Sequence, residues 1–323
     1  MILPTYSDLE AAVERTAPHI VQTPLLESPL LNRLVGGRVL VKAEPLQKTG
    51  SFKFRGASNA IWNLPDYVTH VVAYSSGNHA AAVATAATSR GIISTIIMPE
   101  DAPAMKVANT KAFGGQVVTY NRYTENREEI GAELAKTQGA TLIPPYEYLP
   151  VIAGQGTIGI EIANHLTEQN IIPDQLICCT GGGGLIAGIS IGIHQHFPDL
   201  DIIAAEPEGF DDFKRSLELG ERVSNDPDAR SICDAIVTPM PGEMTFAINK
   251  AHVKSAAVVS DDETLMAVAT AWQYLKCVAE PGGAVALAAI LSGKVEARNK
   301  TSIVIVSGGN IDQAMFTRAL NML

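Results

Sequence analysis

Short runs rich in valine and isoleucine recur along the chain: VVAY from Val71, STIIM from Ser94, QVVTY from Gln116, LICC from Leu176, IIAA from Ile202 and SIVIV from Ser302. None alternates strictly between apolar and polar positions. That is the pattern of a strand covered by helices on both faces, not of one half open to water. The segments between them have helical spacing: Leu265, Val268, Trp272 and Leu275 fall on one stripe, and Ser260 with Glu263 forms a capping box at its start. The alternation predicts an α/β chain with mostly parallel strands. No internal repeat with a period of about 20 to 50 residues is visible. Pro65 and the pair Pro144-Pro145 bracket a βαβαβ block, which predicts a smaller unit over 68–147 inserted into a larger one made of 1–67 and 148–323.

Composition narrows the partner. A chain of 323 residues, 46% hydrophobic and 18% charged, can bury one large core or two smaller ones. Its formal charge of −10 excludes the basic face that nucleic acid or an anionic membrane would need, and leaves a small molecule as the expected ligand. The first residues, MILPTYSDLEAAVERT, lack a basic segment followed by an apolar core, and the apolar runs are too short and glycine-broken to span a bilayer. A cytoplasmic protein is expected. Cys178 and Cys179 point to opposite faces of one strand, and Cys233 and Cys277 have no partner spacing, so all four read as buried reduced thiols.

Three glycine- or serine-rich turns each follow a predicted strand and precede a predicted helix: SSGNHAAA after VVAY, TGGGGLIAG after LICC, and SGGNID after SIVIV. Ligands of open α/β sheets bind at the carboxyl ends of strands, so one shared cleft is predicted. Gly181, Gly182, Gly183 and Gly184 would let backbone N–H groups close on a phosphate at a helix start. Two other readings compete. Gly182-x-Gly184-x-x-Ala187 fits a dinucleotide turn, with Asp201 or Glu206 as the ribose acid, and the glycines also suit a plain tight turn.

The stretch LQKTGSFKFRGASN favours the phosphate reading. If Ser51 caps a helix running from Phe52, then Lys53 lies in its first turn, where the helix dipole and two phenylalanine neighbours disfavour an ammonium. A neutral lysine amine beside a phosphate cradle is what pyridoxal phosphate requires, its aldehyde bonded to nitrogen and its phosphate held remotely.

With these segments on the page, the chain resembles the fold-type II pyridoxal phosphate enzymes, specifically the threonine/serine dehydratase and serine racemase family, over nearly its whole length. KTGSFKFRGA is similar to the family's Schiff-base lysine segment, SSGNH to its asparagine loop, AGQGT at 153–157 to a shared segment, GGGGL to its phosphate cup and SGGN to its pyridine-contact strand end, all in the family's order. The resemblance implies a tryptophan synthase β-like fold, with two open, twisted, mostly parallel sheets flanked by helices, and a homodimer or tetramer.

It further implies that Lys53 bonds the cofactor and carries a proton on one ring face, with Phe52 packed near the ring. Asn78 would meet the phenolic oxygen. Ser75, Ser76, Gly77 and His79 would frame the substrate carboxylate. Gly181 to Gly184 with Leu185 would hold the phosphate, and Ser307 would meet the pyridine nitrogen. A neutral hydroxyl there cannot stabilise a pyridinium as a carboxylate would, which suits expulsion of a β-hydroxyl soon after α-proton removal.

The resemblance makes the expected activity dehydration and deamination of a small β-hydroxy-α-amino acid, with L-threonine or L-serine as default substrates. Ser76 matches the racemase's second proton carrier, so racemisation is the alternative. Tyr146, where the racemases carry Asn, leans toward elimination. Ala80, Ala81 and Ala235 depart from the family pattern. Arg127 aligns with an arginine that meets a substrate carboxylate on closure, which would suit 3-hydroxyaspartate, although a surface pair with Glu128 or Glu129 is the plainer reading. In EPEGFDD the carboxylates of Glu206 and Asp212 and the carbonyl of Phe210 match a Mg2+ or Ca2+ site. Glu280, in EPGGA, is a further cleft candidate.

Overall fold

The computed structural model describes residues 1–102 and 104–323, the side chain of Met105 apart. Ten strands form: β1 Leu25–Glu27, β2 Arg38–Ala43, β3 His70–Tyr74, β4 Ile93–Pro99, β5 Gln116–Tyr120, β6 Thr141–Leu142, β7 Gln175–Cys179, β8 Asp201–Pro207, β9 Ser255–Val259 and β10 Thr301–Val306. They make a six-stranded sheet in the order β1-β2-β10-β7-β8-β9 and a four-stranded sheet in the order β5-β4-β3-β6. Only β1 runs antiparallel to its neighbour. All six apolar runs are strands.

The larger core fills both faces of β10, β7 and β8 and includes the helix Pro281–Leu291, which is apolar nearly all round. The smaller core joins Val71, Ala73 and Ile96 to Phe54, Ala57, Ala60 and Ile61 of the helix Lys53–Trp62. One face of the helix bearing Lys53 therefore packs under the four-stranded sheet, although it precedes residue 68 in the chain.

That helix is anchored by buried charge. Arg55 Nε donates to Glu44 Oε2 at 2.8 Å, Arg55 Nη1 to Glu161 Oε1 at 2.6 Å, and Lys42 Nζ to Glu161 Oε2 at 2.5 Å. Arg55 and Glu44 are fully inaccessible to solvent. Two cations face two carboxylates, and Thr23 and Thr157 add hydrogen bonds, so no charge is left unmatched. Such a set adds little net stability, but removing one member strands its partners at a cost of about 3–5 kcal/mol.

The segment AGQGT lies in the helix Leu149–Glu168 and serves packing. A methyl group on Gly154 would sit 2.7 Å from Gly56 Cα, and Gln155 Oε1 accepts from Gly56 N at 3.2 Å. Glycine there lets the two helix backbones touch.

Two local expectations are corrected. Ser51 does not cap the helix: Phe52 occupies the cap position, helical residues begin at Lys53, and Ser51 instead bridges Gly308, so the lysine opens the helix. Leu265, Val268 and Leu275 are buried, but Trp272 is 43% exposed. A π-turn over Ala271–Leu275 breaks the 3.6-residue register and carries it off the stripe.

Candidate active site

The turns after β3 and β7, together with Asn310 from the turn after β10, line a cavity of about 460 Å3 between the two sheets. Lys53 rises from its floor. The Lys53 amine donates to the Pro145 carbonyl at 3.0 Å and lies 5.1 Å from the centre of the Phe52 ring. Desolvation pulls its pKa down to about 8, against a smaller opposing effect of Cys179. A substantial fraction is then neutral near physiological pH.

On one side the helix Asn78–Arg90 begins at the cavity, with Ser75, Ser76 and Gly77 just before it. Its first N–H groups lack acceptors within the helix and its dipole favours negative charge, so a carboxylate fits there. His79 is committed elsewhere: its Nε2 donates to the Ile143 carbonyl at 2.8 Å, and burial first, then Lys53, pull its pKa down to about 3. The imidazole is held neutral; its Nδ1 has no hydrogen-bond partner among the described residues, and its backbone N–H at the helix start can frame a ligand.

On the other side, Gly181 to Gly184 and Leu185 line the cavity at the start of the helix Gly184–His194. The carbonyl of Gly182 accepts from Thr245 Oγ1 at 2.6 Å and that of Gly183 from Asn249 Nδ2 at 3.1 Å. Gly183 has φ +88°, a conformation that suits glycine, and a methyl group on Gly182 would lie 2.6 Å from the Tyr146 ring. The loop is pinned through its carbonyls, and its shape admits no side chain. Backbone N–H groups at the helix start are left to face the cavity, where an anion such as a phosphate fits. Neither Thr245 nor Asn249 was legible in the sequence, because each lies more than 60 residues from the loop it supports.

Ser307 is set back from the cavity wall. Its hydroxyl lies 3.3 Å from Cys179 Sγ, and its carbonyl accepts from Phe52 N at 3.0 Å; both those neighbours reach the cavity. Arg127 lines the cavity, its guanidinium 5.3 Å from the centre of the Tyr74 ring and 3.5 Å from Glu128. The surface pair with Glu128 is present, and the same side chain lines the cavity. Lys106, on the helix Ala104–Ala112, reaches across the mouth to Asp234 at 2.5 Å. Ala81, Tyr146, Ala235 and Glu280 also line the cavity.

The residues suggested for a cation lie apart from it. Glu206 caps the helix Asp212–Leu219, accepting from the N–H groups of Phe213 and Lys214 at 2.9 Å each. Its pKa is pushed well up by burial and then by Asp212, whose own rises to about 6, mainly through burial. Asp212 Oδ2 is buried without a hydrogen-bond partner among the described residues. Neither dinucleotide acid is available: Glu206 is taken by the cap, and Asp201 pairs with Lys254 at 2.6 Å. All four cysteines are buried and free. Among the described residues no helix is long and apolar enough to cross a membrane, and no group of three or more His, Cys, Asp or Glu side chains is placed to hold a metal.

Residues 16–309 match the family model described as "Pyridoxal-phosphate dependent enzyme". The chain is 40% identical to the L-threo-3-hydroxyaspartate ammonia-lyase of Saccharomyces cerevisiae, over 99% of this chain and 98% of that one. It is 39% identical to the serine racemase of Schizosaccharomyces pombe, with the same coverage of each. Among solved structures, the maize serine racemase superposes with a TM-score of 0.92 at 35% identity, covering 99% of this chain and 98% of that one. A threonine deaminase superposes with a TM-score of 0.91 at 40% identity, covering 96% of this chain and 99% of that one.

Proposed function

Since the chain belongs to the pyridoxal-phosphate dependent enzyme family, and to its branch of ammonia-lyases and racemases, we propose that it eliminates water and then ammonia from 3-hydroxyaspartate in preference to serine or threonine. The observation that carries the substrate choice is Arg127 in the wall of the cavity that holds Lys53. A substrate with one carboxylate leaves that guanidinium without an anionic partner beyond Glu128, whereas a second carboxylate can take a charge-assisted bond from it. The similarity to the yeast 3-hydroxyaspartate enzyme supports the same choice.

The protein's residues fit the cofactor: a partly neutral buried amine, a glycine cradle closed to side chains, and an asparagine at a helix start. When bound, pyridoxal phosphate supplies an aldehyde that takes up amino groups and a ring that withdraws electrons from the substrate α-carbon. Gly181 to Gly184 and Leu185 would hold its phosphate, Asn78 its phenolic oxygen and Ser307 its ring nitrogen, with Phe52 packed against it. The Lys53 amine would take the proton from the substrate α-carbon. Ser75, Ser76, Gly77 and the N–H of His79 receive the α-carboxylate, and Arg127 receives the second. The β-hydroxyl leaves as water, and hydrolysis of the released enamine gives a 2-oxo acid and ammonia, so the water lost is returned. Ser76 can serve as a second proton carrier, which would give racemisation as a side activity. Residues 68–147 act as the closing unit over the substrate, and the Lys106–Asp234 pair spans its edge.

A Mg2+ or Ca2+ ion fits between Glu206, the Phe210 carbonyl and Asp212, because Asp212 adds to burial in raising the Glu206 pKa and one Asp212 oxygen is unpartnered among the described residues. Dimerisation and a cytoplasmic location complete the proposal.

The test is ammonia and 2-oxo acid release, with pyridoxal phosphate and Mg2+ present, from a panel of the 3-hydroxyaspartate stereoisomers, L- and D-serine and L- and D-threonine. Turnover of one hydroxyaspartate isomer above the others supports the reading. Faster turnover of threonine or serine replaces it with the default substrate, and chiral inversion without ammonia release replaces it with racemisation.

A further inference from the structure

We infer that Glu280 and Asn310 are positioning residues that fix which end of the Asn78 amide faces the cofactor. The inference rests on the proposed contact between Asn78 and the phenolic oxygen. A carboxamide carries one acceptor oxygen and two N–H donors on ends of nearly equal shape, so packing alone does not choose between its two orientations. The choice matters here. A phenolic oxygen that bears negative charge is stabilised by the N–H end and repelled by the oxygen.

Asn310 demands one orientation, and Glu280 is placed to accept in that same orientation. Asn310 Nδ2 donates to Asn78 Oδ1 at 2.7 Å, and Asn78 Nδ2 donates to Glu280 Oε1 at 2.6 Å. Rotating the amide by half a turn would set donor against donor at Asn310, and at Glu280 would bring two oxygens together unless the carboxyl turned its proton toward Asn78. Asn310 is itself oriented, because its Nδ2 also donates to the Thr49 carbonyl at 2.8 Å. Both its N–H bonds are then used. Asn78 Nδ2 has a second hydrogen, which these bonds leave available to the cofactor.

The backbone is shaped to admit these partners. A methyl group on Gly50, at φ +74°, would lie 2.5 Å from Asn310 Oδ1, and one on Gly308 would lie 2.1 Å from Glu280 Oε1. Glu280 N also donates to the Gly308 carbonyl at 3.0 Å. The SGGN turn thus supplies both the Asn310 amide and the space for the Glu280 carboxyl. Burial pushes the Glu280 pKa up to about 8, with Asp234 and Cys179 acting in the same direction and the Asn78 bond and Lys106 against it. A carboxyl that is mostly neutral near physiological pH still accepts from Asn78 and sets no full charge beside the phenolic oxygen. Asn78 opens a helix that follows a strand of the four-stranded sheet, whereas Asn310 follows β10 of the six-stranded one and Glu280 caps the helix Pro281–Leu291 packed in its core, so the clamp also ties the two sheets together.

The experiment measures the pyridoxal phosphate dissociation constant and the pH titration of the holoenzyme's visible absorbance in Asn78→Ala, Asn310→Ala, Asn310→Asp, Glu280→Ala and Glu280→Gln. Circular dichroism confirms the fold of each. Asn310→Ala and Glu280→Ala should bind the cofactor about tenfold more weakly and shift the titration. Asn310→Asp should be worse than Asn310→Ala, because it offers only acceptors to Asn78 Oδ1. Glu280→Gln, which keeps an accepting oxygen, should restore the wild-type titration. Wild-type affinity and titration in both alanine variants, with Asn78→Ala altered, would overturn the positioning roles. An unaltered Asn78→Ala would instead remove the contact on which they rest.

Discussion

The Lys53 amine donates to the Pro145 carbonyl at 3.0 Å, which ties the residue assigned to the cofactor to the loop between β6 and the long helix Leu149–Glu168. Desolvation holds that amine's pKa at about 8, and only the neutral amine attacks an aldehyde. The rate at which resolved enzyme takes up pyridoxal phosphate should therefore rise with pH, reach half its limit near 8, and fall about tenfold per unit well below it. Stopped-flow growth of the visible absorbance measures this. A rate independent of pH across that range would contradict the assignment, as would a coloured Lys53→Ala protein.

Arg127→Ala should lower kcat/KM for 3-hydroxyaspartate by about 10- to 150-fold, the worth of one hydrogen bond to a charged group. Serine turnover should change by less than about threefold, because serine has no second carboxylate to lose. Steady-state kinetics on both substrates separate the outcomes. Equal losses on the two would assign Arg127 to the shared carboxylate or to structure.

Removing Arg55 leaves Glu44 buried without its cation. Arg55→Met should destabilise the fold by about 3–5 kcal/mol in chemical denaturation. The fourfold replacement of Lys42, Glu44, Arg55 and Glu161 by apolar residues of similar volume should cost less than the single change. A single variant within about 1 kcal/mol of wild type would mean that water reaches the network.

Glu280 sets a slope of stability against pH. Its folded pKa of about 8 lies above the ordinary carboxylate value, so the native state holds a proton that the unfolded chain has released. This contribution is complete below the unfolded pKa and is lost as pH rises toward 8. Thermal midpoints of wild type should fall over that window relative to Glu280→Gln, which has no proton to lose. Parallel curves for the two would show that the native carboxyl titrates normally.

A cation held by Glu206 and Asp212 would stabilise the fold by about 2.7 kcal/mol at a hundred times its dissociation constant. Chelation followed by dialysis should lower the thermal midpoint, and Mg2+ or Ca2+ should restore it. Asp212→Asn should respond to neither treatment. An unchanged midpoint in wild type would leave Glu206 as a helix cap alone.

The apolar runs gave away six strands, five of them because they are buried nearly throughout; the sixth, β5, is an edge strand with Val118 exposed, and its valines alone carried it. β2 escaped because Lys42 in its middle reads as a surface residue; its partner Glu161 is far away in sequence, so the neutralised pair was invisible. β9 escaped because Ser255, Ala256 and Ala257 are too small to form a run, and β1 and β6 are only 3 and 2 residues long. The glycine loop and Lys53 were legible because their chemistry restricts residue type locally. The supports of Asn78 and of the glycine carbonyls were not, because a hydrogen bond between distant segments leaves no periodic trace. Ser307 touches Cys179 and Phe52, which line the cavity, and is not itself among the lining residues.

The position of β10 has a consequence for how the molecule is assembled. Thr301 pairs with Arg38 on one side, and Ser302 with Gln175 on the other, so the strand that comes last in the chain lies inside the larger sheet. Until it arrives, β2 and β7 present bare apolar edges to each other, and such edges invite pairing between molecules. A nascent chain halted before residue 301 would possess the lysine and the glycine loop but lack the partition between them. Chaperone demand and aggregation during synthesis should therefore peak just before β10 emerges, and capacity to retain the cofactor should appear only once it has inserted.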